Sequence, residues 1–295
     1  MEDKVYVGSQ VYPLPSKSNS GYQCYSLGNV TLSDQPVLLM INLVLQTAFL
    51  KSCSKPIALL LLGKPGIGKS RLLSPLSHCN FVSYVNDITP KYLVEFLDKV
   101  KKREKKFLVV PDFTNCVGHS KNTRTTLVAI LRSVTEEGVV DLSDYHLEFK
   151  SYKPVRAGLI TATTNSSYEG FKKSWKNTGF LSRLLPFSFS HSVATTTRIM
   201  NDIDTKRPDS ITGVKFQVKR RPKEVPAPEH LLRQLHVCEE LLSKSTGSLP
   251  YRHQIQLNAI TEALAVLRND SEVRQEDIDK IMELSKWINY DFKEI

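Results

Sequence analysis

Short apolar runs alternate with stretches of helical spacing over most of the chain. Residues 57–62, Ile-Ala-Leu-Leu-Leu-Leu, are continuously apolar and short, the pattern of a strand buried on both faces. Phe81 to Val85 predicts a second strand, and Phe107 to Val110 a third. Residues 157–165 predict a fourth, which ends in polar residues. Ser33 and Asp34 can cap a helix that runs to about Lys51, with Pro36 tolerated in its first turn. Pro75 shortens or kinks the helix that begins near Ser70. Thr89 or Asp87 opens another, with Tyr92, Leu93, Phe96, Leu97 and Val100 on one face. Leu127, Val128, Ile130, Leu131 and Val134 mark a further helix, with Gly138 just beyond its end. Two alternating stretches, Val139 to Leu142 and Tyr145 to Phe149, predict a β-hairpin. Strands alternating with helices predict an α/β class with a parallel sheet and helices on both faces.

The pattern changes after residue 204. Residues 205–228 are rich in Pro, Lys and Arg and predict a basic linker. Three helical segments follow, near 229–243, 251–267 and 276–290, and predict a small all-helical domain. The expected organisation is therefore a Ser-, Tyr- and Gly-rich N-terminal extension at 1–33, an α/β core at 34–204, the linker at 205–228 and the helical domain at 229–295.

Composition adds constraints. The 295 residues are 41% hydrophobic and 24% charged, close to globular averages. No apolar run reaches the roughly 18 residues of a membrane span, and Glu2, Asp3 and Lys4 precede no apolar leader core. The five cysteines are scattered and odd in number, which suits reduced thiols and a cytoplasmic setting. Cys116 and His119 have the spacing of half a zinc site, with no second half near them. Net charge is +10, which favours nucleic acid or another polyanion as partner. Much of this charge lies in Lys99 to Lys106, which also reads as a solvated helix end, and in Lys215 to Lys223.

The most specific chemistry follows the first core strand. Gly63-Lys64-Pro65-Gly66-Ile67-Gly68-Lys69-Ser70 matches G-x-x-x-x-G-K-S between an apolar strand and the start of an apolar helix at Arg71, Leu72 and Leu73. Glycines let backbone N–H groups turn inward around a phosphate chain, and the helix that follows presents its positive end to the same anion. In such a P-loop Lys69 reaches the β- and γ-phosphates of ATP, and the Ser70 hydroxyl ligates Mg²⁺.

The order of these pieces over residues 34–290 resembles that of AAA+ ATPases. The resemblance rests on the P-loop at 63–70, on Phe107 to Val110 followed by Pro111-Asp112 where the family has Walker B, and on Asn165 at the tip of the next core strand. It also rests on Gly179-Phe180-Leu181-Ser182-Arg183 and on Pro250-Tyr251-Arg252. It implies that Asp112 orients the metal's water or polarises the attacking water, and that Asn165 is sensor 1. It implies that Arg183 is an arginine finger serving the neighbouring subunit, and that Arg252 is sensor 2 in a helical lid. Plainer readings stand beside these: Asn165 as a turn residue, Arg183 as a surface ion-pair partner, Arg252 as a cap or partner within the lid. A carboxylate buried at the end of an apolar strand would be costly if idle, which favours a working Asp112. The hairpin before sensor 1 and the tail from Ala263 to Ile278 resemble the branch that includes MoxR-type ATPases and minichromosome maintenance helicases. The chain departs from that pattern in offering one Walker B carboxylate instead of two, which implies slow hydrolysis. Few residues separate the second and third strands, leaving little room for the insert of that branch.

The leading expectation is an oligomeric ATP-driven motor or switch, a ring or spiral acting on DNA. Lys150, Lys153 and Arg156, on or beside the hairpin, are its expected nucleic-acid contacts; they also suit a merely soluble sheet edge. The alternatives are a protein-remodelling ATPase of MoxR type with a protein client, and a nucleotide-gated scaffold with weak hydrolysis.

Overall fold

The sheet is organised around β3 (Ala58–Gly63), a strand buried at every position. The structure, a computed structural model, describes residues 4–7, 10–13, 35–144, 147–206, 211, 214–219 and 224–290, with backbone alone for 4–7, 10–13, 35 and 144. A strand without a polar residue has no face to offer water, so it pairs on both sides. β8 (Gly158–Thr164) lies on one side and β9 (Leu184–Ser188) on the other, both parallel to it. β5 (Phe107–Val110) pairs with β8, and β4 (Val82–Tyr84) forms the far edge. The result is a five-stranded parallel sheet of order β4-β5-β8-β3-β9. A separate antiparallel pair joins β1 (Lys4–Val7) to β2 (Gln10–Pro13).

Helices cover the sheet. α1 (Gln35–Thr47) packs against β3 and against α10 (Tyr251–Arg268) of the C-terminal region, with Val37 to Leu45 buried throughout. Buried on all sides, it has no polar stripe. At its end the Gln46 amide exchanges two 2.7 Å hydrogen bonds with the backbone of Lys219, tying the segment 214–219 beneath it. The predicted caps Ser33 and Asp34 lie outside the described residues, as do 14–32 and parts of the basic linker. α2 (Lys69–Leu73) passes into a 3-10 turn at Ser74–His78, where Pro75 stops the helix. α3 (Pro90–Lys101) is capped by Thr89, whose hydroxyl accepts from the Tyr92 N–H. α5 (Lys121–Thr135) precedes Gly138, whose φ of 83° suits glycine and whose added Cβ would lie 2.7 Å from Pro154 Cβ.

Four elements were not predicted. α4 (Phe113–Gly118) is short and starts on Asp112. α6 (Asn165–Asn177) begins where the fourth strand was expected to end. β9 contains Pro186, tolerated because β9 is an edge strand. α7 (Val193–Asp204) buries only Thr195 and so shows little apolar periodicity. The hairpin differs in extent: β6 (Val139–Asp144) pairs with β7 (Leu147–Val155), so Lys150 and Lys153 lie within the second strand.

The C-terminal helical region comprises α8 (Glu229–Leu232), α9 (His236–Thr246), α10 and α11 (Gln275–Ser285). It packs directly on the core. Tyr290 Oη donates to Leu184 O at 2.6 Å, Tyr168 Oη to Tyr290 O at 2.8 Å, and the Ser188 N–H to Trp287 O at 2.8 Å. Residues 287–290 thereby run beside β9 and cover part of its open edge.

Candidate functional site

The loop 64–68 joins β3 to α2 at the carboxyl end of the sheet. The chain places β8 on one side of β3 and β9 on the other, so this loop stands at the switch point where open α/β sheets bind ligands. Gly66 and Gly68 have φ of 76° and 89°, left-handed values that only glycine adopts cheaply. A Cβ on Gly63 would sit 3.1 Å from both Ile67 Cγ2 and Phe189 O. Lys64, Pro65 and Gly66 are exposed, whereas Lys69 is only 9% exposed. Lys69 Nζ curls back to donate to Gly63 O and Lys64 O, each at 2.8 Å. Burial pushes its pKa down, and the charge of Asp112 works against that shift. Ser70 Oγ donates to Pro111 O at 3.3 Å, which draws α2 toward the end of β5.

Asp112 is exposed, contrary to the expectation of a buried carboxylate: β5 ends at Val110 as its apolar run predicts, and Asp112, two residues on, already caps the next helix in solvent. Its Oδ1 accepts from the Thr114 N–H at 2.9 Å and caps α4. Asn165 is 5% exposed, and neither its amide oxygen nor its nitrogen has a partner. Thr164 is the register partner of Gly63, so Asn165 stands beside the start of the loop. The fold thus gathers Lys69, Ser70, Asp112 and Asn165 on one edge of the sheet.

The two arginines lie elsewhere. Arg183 and Arg252 share a small cavity with Lys55, Ile57, Ala58 and Glu136, at the end of β3 opposite the loop. Arg252 Nε donates to Glu136 Oε2 at 2.9 Å and Nη1 to Ser182 Oγ at 2.6 Å. Lys55 Nζ meets the other oxygen of Glu136 at 2.6 Å. Arg183, 8% exposed, donates to Gly179 O at 2.6 Å and to Glu137 Oε1 at 2.7 Å. Arg252 therefore does not face its own loop in this conformation, because Glu136 at the end of α5 holds it on the opposite edge. Arg183 is engaged within the chain by Glu137 and the Gly179 carbonyl, the ion-pair role that its plainer reading expected. Burial alone would raise the Glu136 carboxyl. The hydrogen bonds and charges of Lys55 and Arg252 outweigh that and hold it below the usual glutamate value.

Of the three expected nucleic-acid contacts, Lys150 and Lys153 are exposed on β7. Arg156 is half-buried at the base of the ribbon, where its Nε donates to Glu136 O at 2.9 Å. Reading the sequence missed His191, whose Nε2 lies 3.1 Å from Ile67 O and whose Nδ1 has no partner. It reaches the loop because β9 ends beside it, and the only signal was the overlooked apolar run at 184–187. Among the described residues no helix is long and apolar enough to cross a membrane, and no cluster of His, Cys, Asp and Glu could alone hold a metal. No family model matches the chain, and no curated protein matches it.

Proposed function

We propose that the chain is a P-loop ATPase of AAA+ type that acts on DNA. The observation that carries this reading is the convergence of Lys69, Ser70, Asp112 and Asn165 on the loop 63–70. The residues fit a magnesium nucleotide. Left-handed Gly66 and Gly68 shape the loop, Lys69 is a desolvated cation resting on neutral carbonyls, and Asn165 is a buried amide with no partner. The backbone of 64–70 and Lys69 would hold the β- and γ-phosphates of ATP; Ser70 and Asp112 would hold Mg²⁺ or its waters. When bound, the magnesium nucleotide supplies the γ-phosphoryl group and the charge screening for its transfer to water. Lys69 would exchange two carbonyl acceptors for charged oxygens, which bind it roughly twice as strongly. Asn165 would gain the partner it lacks. Self-association into a ring or spiral belongs to this reading, and Arg183 would have to leave Glu137 before it could serve a neighbour.

A second reading has its own support: the chain binds nucleotide as a scaffold and hydrolyses it slowly. Asp112 already spends one oxygen as the cap of α4. Binding of a fluorescent ATP analogue with Mg²⁺, followed by phosphate release, tests both readings. The expected result is Mg²⁺-dependent binding and turnover, with binding weakened and turnover lost in Lys69→Ala. Binding without turnover selects the scaffold. Absence of binding by the folded parent chain ends the ATPase reading.

A further inference from the structure

The charged helix end at Lys99 to Lys106 and the β6–β7 ribbon are one surface. Lys101 Nζ, from the last turn of α3, donates to Lys150 O at 2.8 Å and lies 5.8 Å from the centroid of the Phe149 ring. Phe149 is buried against this junction, so the ribbon is held on α3 and not left waving. The exposed cations Lys101 at the end of α3, Lys102 at its C-cap and Arg103 in the turn that follows thereby continue into Lys150 and Lys153 on β7. Three exposed acids share this surface: Glu104 just past α3, Glu148 on β7, and Asp141 on β6, the cross-strand register partner of Lys150, against five exposed cations. Glu148 sits 3.8 Å from Lys150, with both side chains more than two-thirds exposed, too loose and too wet to neutralise it.

The ribbon also carries an aromatic side chain with nothing against it. The pairing runs Asp141↔Lys150 and then Val139↔Val155, so four residues, Ser151 to Pro154, stand opposite Val140 alone. Such a bulge bends a strand and re-aims its side chains. Tyr152, at the crest, is 104% exposed, the most exposed large hydrophobic side chain among the described residues. A large ring pushed wholly into water, with Lys150 and Lys153 on either side, is an unusual use of a tyrosine. Solubilising an edge accounts for the lysines but not for the ring.

We propose that this surface binds single-stranded DNA, with Tyr152 stacking on a base and the cations of β7 and α3 following the phosphates. Aromatic platforms beside cationic grooves suit unpaired strands, since every base has a π-face; the bases of a duplex are already stacked. The proposal refines the DNA partner in the reading above and rests on that part of it alone.

The test uses the full chain without nucleotide and a fluorescent oligo(dT), across a salt series. The oligo(dT) should bind at low salt, and more tightly than a duplex of equal length. Tyr152→Ala should weaken oligo(dT) binding by roughly tenfold with an unchanged salt slope, since stacking releases no counterions. Tyr152→Phe should restore the affinity. Changing Lys102, Lys150 and Lys153 together to Ser should flatten the single-strand salt slope by about 2, the share of three phosphate contacts. Thermal melting of each variant checks that it folds, and Tyr152 touches nothing whose loss would unfold it. No binding of oligo(dT) at low salt, equal affinity in Tyr152→Ala, or tighter binding of oligo(U) each overturns the proposal. ATP binding by the parent chain is measured separately. ATP bound without oligo(dT) rejects this surface alone, and oligo(dT) bound without ATP rejects the ATPase reading alone.

Discussion

The two ends of β3 hold their cations in opposite ways. At the carboxyl end Lys69 is buried against the carbonyls of Gly63 and Lys64, and Asn165 is buried with no partner. At the amino end Lys55, Arg252 and Arg183 close on Glu136 and Glu137. The amino end is an ionic clasp between α10 of the C-terminal region and the core, and among the described residues only Arg183 Nε there lacks a partner. A buried polar group left unpaired costs about 1–3 kcal/mol. On the reading proposed above, the end that accepts this cost is the ligand end, and the end that avoids most of it serves cohesion. Stability and ligand binding should therefore separate when the two ends are changed one at a time.

The largest effect should come from Lys69→Ala, which removes a charge-assisted contact worth about 1.5–3 kcal/mol. Nucleotide affinity should fall roughly tenfold to a hundredfold, read by titration, while the melting temperature stays level or rises because a desolvated cation is gone. Loss of folding instead would make Lys69 a structural residue and erase the contrast. Glu136→Ala should do the reverse. It strands Lys55 and Arg252, costs about 2 kcal/mol in chemical denaturation and leaves nucleotide affinity intact. Asn165→Ala should be near neutral for stability, since both atoms it removes are unpaired, yet lower turnover; a marked drop in stability would show that the amide has a structural partner.

The smallest effect is a pH dependence of the clasp. Glu136 has a lowered native pKa, so its contribution to stability is present above the ordinary glutamate pKa and is lost as pH falls through the lowered native value. Denaturation of the parent chain and of Glu136→Gln should differ at neutral pH and converge in acid. A difference that grows in acid would mean that the clasp is not held by an ionised Glu136. Arg183→Ala sharpens the assembly question. As a clasp member it costs stability, whereas as an arginine finger it costs turnover by roughly 10³-fold or more at normal stability.

Much of the carboxyl-end site was legible because it is local. The apolar run at 57–62, two glycines, a lysine and a serine lie within fourteen residues, and their chemistry does not depend on distant chain. Asn165 could be placed at the tip of the fourth strand because polar residues close that strand, whereas its role came only from the family resemblance. The burial of Asp112 was misjudged because the apolar run marks the strand's end at Val110 but not that a helix starts three residues later, with Asp112 as its solvent-facing cap. β9 escaped because Pro186 is read as a breaker unless the strand is known to be an edge, and His191 escaped with it.

The sequence by itself determined the α/β alternation, the glycine loop, the hairpin and the three C-terminal helical segments, since each follows from periodicity or from backbone chemistry within a few residues. The tertiary structure alone decided which charges meet. Arg252 reaches Glu136 across 116 residues, Lys101 reaches Lys150 across 49, and Gln46 closes on Lys219 across 173. A charged side chain carries the same pattern in the sequence whether it ends in water, in an ion pair or beside a phosphate. Its role is set by desolvation and by the partner that the fold brings within about 3 Å.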